Sequence, residues 1–347
     1  MKPRFPFRAA LLSMACTVVL FAFGCSREEP RENDQIRIGF SVDSLVVERW
    51  IRDRDGFISA GRELGAKILY RNALESEEQQ ARDIISLHEE GIDVLVVIPF
   101  DANALTDAVN RVVADGVPVI SYDRLMLGSN VSAYISFDNV EVGRLMAEGV
   151  ISRVQSGNLV IINGGARDHN SAMLNEGFYD VLAPLIADGS ISVVEEYNPS
   201  DWLPELFVSE FEALIESGVK IDGVIAANDQ FADAAITVLA RQRLAGDVIV
   251  VGQDADLLAV QRLVRGTQHR TIYKPVAQLS RRAAELAVSL ARGQEVKTDI
   301  VIDNRARLVP YVAIDPIAVE ADNIEATVIA DQFHRRENVF SSPLDNE

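Results

Sequence analysis

Between residues 36 and 291 the chain alternates short apolar runs with longer stretches whose apolar residues recur every three or four positions. The short runs have the length of strands. They fall at 36–42, 67–70, 94–98 and 117–122, and again at 134–137, 158–162, 192–196, 224–227, 248–251 and 270–273. The run at 94–98 has no polar residue at all, as expected of a strand covered on both faces. The longer stretches read as helices at 50–64, 77–90 and 104–115, then at 140–153, 172–187, 206–217, 231–240, 257–264 and 277–291. Gly65, Gly91 and Gly116 stop the first three, where a helix end favours a left-handed residue. Strands that alternate with helices in this way predict parallel, doubly wound sheets. The rhythm restarts at Tyr134, so the fold class is α/β with two successive lobes of ordinary domain size.

Residues 1–24 break the pattern. Lys2, Arg4 and Arg8 precede an uncharged apolar run at 9–23, which reads as a secretory signal peptide. The run is shorter than the roughly 20 residues a membrane-spanning helix requires. Small residues then lead into Cys25, the arrangement of a bacterial lipobox, in which Cys25 becomes a lipidated N-terminus. The alternative is an incidental thiol beside an ordinary cleavage site. Residues 25–35 are the lipidated cysteine and a polar tether, and residues 341–347 are a polar tail.

Composition narrows the partners. The 347 residues carry a net charge of −19, and removal of residues 1–24 takes it to −22. A chain this acidic is a poor match for nucleic acid, whose phosphates need a basic face. Of the two cysteines, Cys16 leaves with the signal peptide. The mature chain then has no internal disulfide and no cysteine-based zinc site.

Ligands of open parallel sheets bind beyond the carboxyl ends of the strands, so the residues that follow each run carry the candidate chemistry. Asp43, Glu48, Arg49 and Trp50 follow the first run. Pro99, Phe100, Asp101 and Asn103 follow the third, and Asp123 and Arg124 the fourth. In the second half come Asp168, His169 and Asn170, then Asp201 and Trp202, Asn228 and Asp229, Gln253, Asp254 and Asp256, and finally Lys274. Strand after strand thus ends in planar or charged hydrogen-bonding groups. Both tryptophans of the chain sit at such ends. An indole covers the C–H face of a pyranose while charged partners take its hydroxyls, so the set points to a sugar.

Enzyme signatures are missing. No G-x-S-x-G, H-E-x-x-H, Walker A or strand-following G-x-G-x-x-G motif occurs. Of the four histidines only His169 lies at a strand end, without a nucleophile nearby in sequence. Asp254-Ala255-Asp256 begins like a calcium loop but lacks its glycine. No catalytic residue, metal or cofactor is expected. A ligand-responsive repressor of similar core would need a basic helix-turn-helix ahead of it, where this chain has a signal peptide.

Several elements together resemble a known family. They are Ile36-Arg37-Ile38-Gly39-Phe40, Glu48-Arg49-Trp50, Ser121-Tyr122-Asp123-Arg124, Tyr134-Ile135-Ser136-Phe137-Asp138-Asn139, Asp201-Trp202-Leu203-Pro204-Glu205, Gly252-Gln253-Asp254-Ala255-Asp256 and Tyr273-Lys274-Pro275. From about residue 36 to about 335 the chain is similar to the type I periplasmic sugar-binding proteins of bacterial ABC importers, in particular the xylose-binding ones. The resemblance implies two lobes joined by a three-stranded hinge that close on one monosaccharide, with D-xylose favoured over ribose, galactose, arabinose or glucose. It implies delivery to an ABC permease, although a sensor presenting sugar to a receptor would use the same pocket. By similarity Arg49, Trp50, Asp123 and Arg124 come from the first lobe, and Asn170, Trp202, Asn228, Asp254 and Lys274 from the second lobe or hinge. Glu48, Asp168 and His169 are further candidates. The implied crossings lie near Ser136–Asn139, Lys274–Ala277 and Ile302–Asn304. The first lobe is then 36–137 plus 276–303, and the second 138–275 plus 304–340.

Overall fold

A computed structural model describes residues 35–46 and 48–341. The expected signal peptide, Cys25, nearly all of the expected tether and residues 342–347 lie outside the described residues, as do Val47 and the side chain of Glu48.

The first sheet is built from β1 (Arg37–Val42), β2 (Lys67–Asn72), β3 (Val94–Ile98), β4 (Val119–Tyr122) and β5 (Ala133–Phe137). The second contains β6 (Gly157–Ile162), β7 (Ile191–Tyr197), β8 (Gly223–Ala226), β9 (Ile249–Gln253) and β10 (Arg270–Tyr273). Three later strands join them: β11 (Val301–Asp303), β12 (Leu308–Ile314) and β13 (Ile317–Val319). The first sheet runs β2-β1-β3-β4-β5-β12-β11, and the second β7-β6-β8-β9-β10-β13. All neighbours are parallel except the edge pairs β11–β12 and β10–β13. In each sheet the order reverses direction beside its first strand, the switch point where open α/β sheets bind ligands.

Every residue of β3, β4 and β5 is buried, which accounts for the wholly apolar run of β3 and for the mostly apolar β4 and β5, each broken only by a serine, Ser121 and Ser136. Helices α1 (Glu48–Glu63), α2 (Glu77–Glu89) and α3 (Thr106–Ala114) connect the first strands. Phe57 of α1 packs on Phe40 and Tyr122, 4.4 and 6.3 Å between ring centroids. Ile84, Leu87, Val109 and Val112 from α2 and α3 line another core layer. Each such fully buried side chain contributes about 1.5–3 kcal/mol against exposure.

The chain enters the second lobe through α4 (Asn139–Ile151) and continues with α5 (His169–Ala187), α6 (Val208–Glu216), α7 (Asp229–Arg241) and α8 (Leu257–Arg265). Helices α4 and α5 touch backbone to backbone. A Cβ at Gly143 would stand 2.1 Å from the Leu174 carbonyl oxygen, and one at Gly177 2.0 Å from that of Val140. Only glycine permits this approach. It fixes the start of α5, where candidate site residues sit. Helix α9 (Val276–Ala291) returns to the first lobe, its Leu279, Ala283 and Ala287 packing in the core of α1. A short helix α10 (Arg336–Val339) ends the described chain.

The C-terminal part differs from the sequence reading. The third crossing was expected near Ile302–Asn304, with the chain from 304 onward in the second lobe. Instead β12 lies parallel to β5, pairing Tyr311 with Tyr134 and Ile314 with Phe137. The Tyr134 and Tyr311 rings stack at 4.6 Å. Buried Asn304 ties the strand's approach to the first lobe, donating from Nδ2 to the carbonyls of Met126 (3.1 Å) and Ser129 (2.7 Å). The first sheet therefore holds the chain until Ile314, and β13 joins the second sheet directly afterwards.

Candidate functional site

The first-lobe wall begins at the turns after β1 and β4 and in the first turn of α1. Arg124 donates from Nη1 to Asp43 Oδ2 (2.9 Å) and to the Pro99 carbonyl (3.2 Å). Arg49 donates from Nε to Asp53 Oδ2 one helical turn on (3.1 Å), and its Nη2 to Asp123. Both guanidinium groups lie over the Trp50 ring, at 4.7 Å for Arg49 and 5.3 Å for Arg124, the favoured placement of a cation on an aromatic face. Burial outweighs these cations at two of the carboxyls. Asp43 is raised from 3.8 to about 6 by loss of solvent, against the pull of Arg124. Asp53 is raised to about 6 for the same reason, against Arg49.

Asp123 sits in the left-handed region at φ 61°. Non-glycine residues adopt it rarely, and aspartate more readily than most. Here it is held in place by its neighbours. The Asp123 N–H donates to the Ile135 carbonyl (2.8 Å), and its carbonyl accepts from Ser136 Oγ (2.7 Å), Tyr134 Oη (2.8 Å) and Asn170 Nδ2 (3.1 Å).

The second-lobe wall is made largely of helix starts. Asp168 caps α5, accepting from the Asn170 N–H (2.9 Å), and Asn228 caps α7, accepting from the Phe231 N–H (2.8 Å). Such caps satisfy N–H groups that have no partner inside the helix. Trp202 lies between them. Its Nε1 donates to Asp168 Oδ2 (3.3 Å), and its ring packs against Phe231 at 5.8 Å. At the hinge Lys274 pairs with Asp254 (2.6 Å), which is also left-handed, at φ 99°. Beneath that loop Asp229 is buried. Burial, reinforced by the nearby Asp256 charge, raises its pKa well above that of a free carboxyl. It accepts from Thr271 Oγ1 (2.8 Å), Gln268 Nε2 (2.7 Å) and the Asp256 N–H (3.0 Å), so it holds the loop.

The two walls meet. The Asn170–Asp123 bond and the Arg124–Asp168 pair (Nε–Oδ2, 3.0 Å) cross the cleft. The cavity they close is lined by Arg49, Trp50, Asp123, Arg124, Asp168, Asn170, Trp202, Asn228, Asp254 and Lys274. Small-molecule sites have this mixture of aromatic and convergent polar groups. Two buried polar atoms of its lining residues have neither a hydrogen-bond nor an ion-pair partner: Nε1 of Trp50, a donor, and Oε1 of Gln253, an acceptor. Unpaired buried polar atoms are costly, and a ligand hydroxyl can serve either one. Pairing each cation with a carboxylate leaves the cavity rich in donors and acceptors without a large net charge, which suits a neutral polyhydroxylated molecule.

Every principal candidate from the sequence thus lines one cavity, together with Asp168. His169 does not. It faces a neighbouring cleft with Asn103, Arg167 and Arg305, where burial and then Arg305 lower its basicity. Sequence reasoning passed over Asn139 and did not select Gln253, although both line the cavity. Gln253 follows an apolar strand, the signal used for the others. Asn139 reads as an ordinary first residue of a helix. The supporting Asp53 was also missed, because a carboxylate four residues after an arginine looks like a surface pair.

Comparison with known proteins agrees with this architecture. The periplasmic binding protein domain family matches residues 38–295. The D-xylose-binding periplasmic protein of Escherichia coli is 40% identical over 302 residues, covering 87% of this chain and 92% of that protein. The protein of the same description from Haemophilus influenzae is 36% identical over 334 residues, covering 96% and 99%. Among solved structures, a carbohydrate transporter solute-binding protein from Chloroflexus aurantiacus, in complex with D-glucose, superposes with a TM-score of 0.82 at 26% identity, covering 88% of this chain and 98% of that one. The chain belongs to the periplasmic binding protein family, and its relatives are transport proteins rather than enzymes.

Proposed function

We propose that this protein captures a monosaccharide, D-xylose in the first place, between its two lobes and delivers it to an ABC import permease. The observation that carries the reading is the shared cavity, on which two tryptophans and ion-paired or amide groups from both lobes converge. Trp50 and Trp202 offer faces to the C–H side of a pyranose, and the charged and amide groups take its hydroxyls. Discrimination follows from pairing. An epimer leaves one buried group unmatched, at a cost of about 1–3 kcal/mol for a neutral group. The lobes close around the ligand, and the closed form is what a permease engages. The similarity to D-xylose-binding relatives supports the ligand. A glucose reading is the alternative, favoured by the D-glucose complex of the structural relative.

Calorimetry of the purified protein against xylose, ribose, arabinose, glucose and galactose tests the assignment. One-to-one binding of xylose, with the other sugars much weaker, is the expected result. Preference for another sugar overturns the ligand but keeps the binding role, and no binding of any of them overturns both. The N-terminal segment supports export and anchoring through Cys25. Cys25→Ser should then move the protein from the membrane to the soluble fraction, and continued membrane association sinks the anchor.

A further inference from the structure

Trp202 is seated on two consecutive glycines. A Cβ at Gly164 would lie 2.3 and 2.6 Å from the outer carbons Cη2 and Cζ2 of the Trp202 indole. One at Gly165 would lie 2.9 Å from backbone atoms of Asp201 and 3.0 Å from the Trp202 nitrogen. Neither glycine has a positive φ, so backbone conformation does not demand them. Close approach does. The loop after β6 serves as a floor, and the loop bearing Trp202 lies directly on it.

The other restraints leave the ring little freedom. Its Nε1 is tied to Asp168 and Phe231 stands beside it, while the Trp202 backbone N–H donates to Asp201 Oδ1 (2.9 Å). The adjustments left to an indole lifted off Gly164 are a shift within the cavity that it lines or loss of its bond to Asp168. That bond matters because the same carboxylate pairs with Arg124 across the cleft.

We propose that Gly164 is a positioning residue that sets how deep the Trp202 ring sits, and thereby how much room the ligand has. This rests on the sugar-binding reading above. It adds a specificity determinant that touches no ligand itself, and it assigns the steric limit of the second-lobe wall to a residue without a side chain.

The test is a double-mutant cycle on the purified protein, with xylose titrated calorimetrically into wild type, Gly164→Ala, Trp202→Phe and the double variant. Phenylalanine lacks the outer carbons that a Cβ at position 164 would strike. Gly164→Ala should weaken binding about tenfold or more in the tryptophan background. In the phenylalanine background it should cost less than about threefold. Equal losses in both backgrounds overturn the proposal. They would point instead to Ser171, whose Oγ stands 2.4 Å from the same Cβ position and donates to the Gly165 carbonyl (2.9 Å). An unchanged affinity in Gly164→Ala overturns it as well. Should that variant fail to fold, the double variant still reads the inference, since recovery of folding and binding on removing the indole's outer ring supports it and failure to recover sinks it. A wild type that binds no sugar defeats the functional reading instead, a result separate from any of these.

Discussion

The first-lobe wall of the cavity consists of charges that neutralise one another: Arg49 with Asp53 and Asp123, Arg124 with Asp43. The second-lobe wall consists of residues with another task in the fold. Asp168 and Asn228 cap helices, and Trp202 rests on glycine and packs on Phe231. The difference lies in what each wall costs. Burying charges is expensive, and pairs of them are tolerable only while both partners are present. A capping side chain is cheaper to place, because its own helix supplies the donor. The first wall is therefore rigid and intolerant of change, while the second offers places where ligand preference can be altered without threatening the fold.

The sharpest test of that contrast is Arg124→Met. It leaves Asp43 and Asp168 without their cation and should cost about 3 kcal/mol or more in urea unfolding. A cost below about 1 kcal/mol would make the first wall no more structural than a surface pair. Trp202→Ala comes next, on the other wall. It should weaken sugar binding by about 30-fold or more in calorimetry, about 2 kcal/mol, with a smaller shift of the unfolding midpoint than Arg124→Met produces. The reverse order of midpoints would break the comparison.

The smallest effect concerns pH. Asp43 and Asp53 hold their protons to about pH 6 in the folded protein, against an ordinary value of 3.8. Their protonated forms stabilise the fold fully below about pH 4, and that contribution is lost as pH rises through about 6. Stability measured between pH 4 and 6 should fall less steeply in Asp43→Asn than in wild type. An unchanged slope would show that Asp43 does not titrate there.

The parts legible in the sequence were those fixed by local pattern. Runs such as Val94–Ile98 have no solvent-facing residue, so a buried parallel strand was readable from five letters. The cavity lining was readable because parallel sheets gather their strand ends on one side. What escaped was decided by distant partners. Leu308–Ile314 contains a proline and has several half-exposed residues, and only its pairing with β5 makes it a first-lobe strand. Asn139 enters the cavity lining at the start of α4, next to the Gly143–Gly177 contact, a three-dimensional fact with no periodic signature. His169 shares its loop with Asp168 and Asn170 yet faces the next cleft, because successive side chains at a helix start point in different directions.

The late strands also govern the order of assembly. β5 has no outer neighbour until residues 308–314 exist, and the second sheet gains its last strand only at Ile317–Val319. Neither lobe can finish before nearly the whole chain has been made, and the two then finish together. Pairings between segments this far apart are slow to form, so the nascent polypeptide stays without its completed sheets through most of its synthesis.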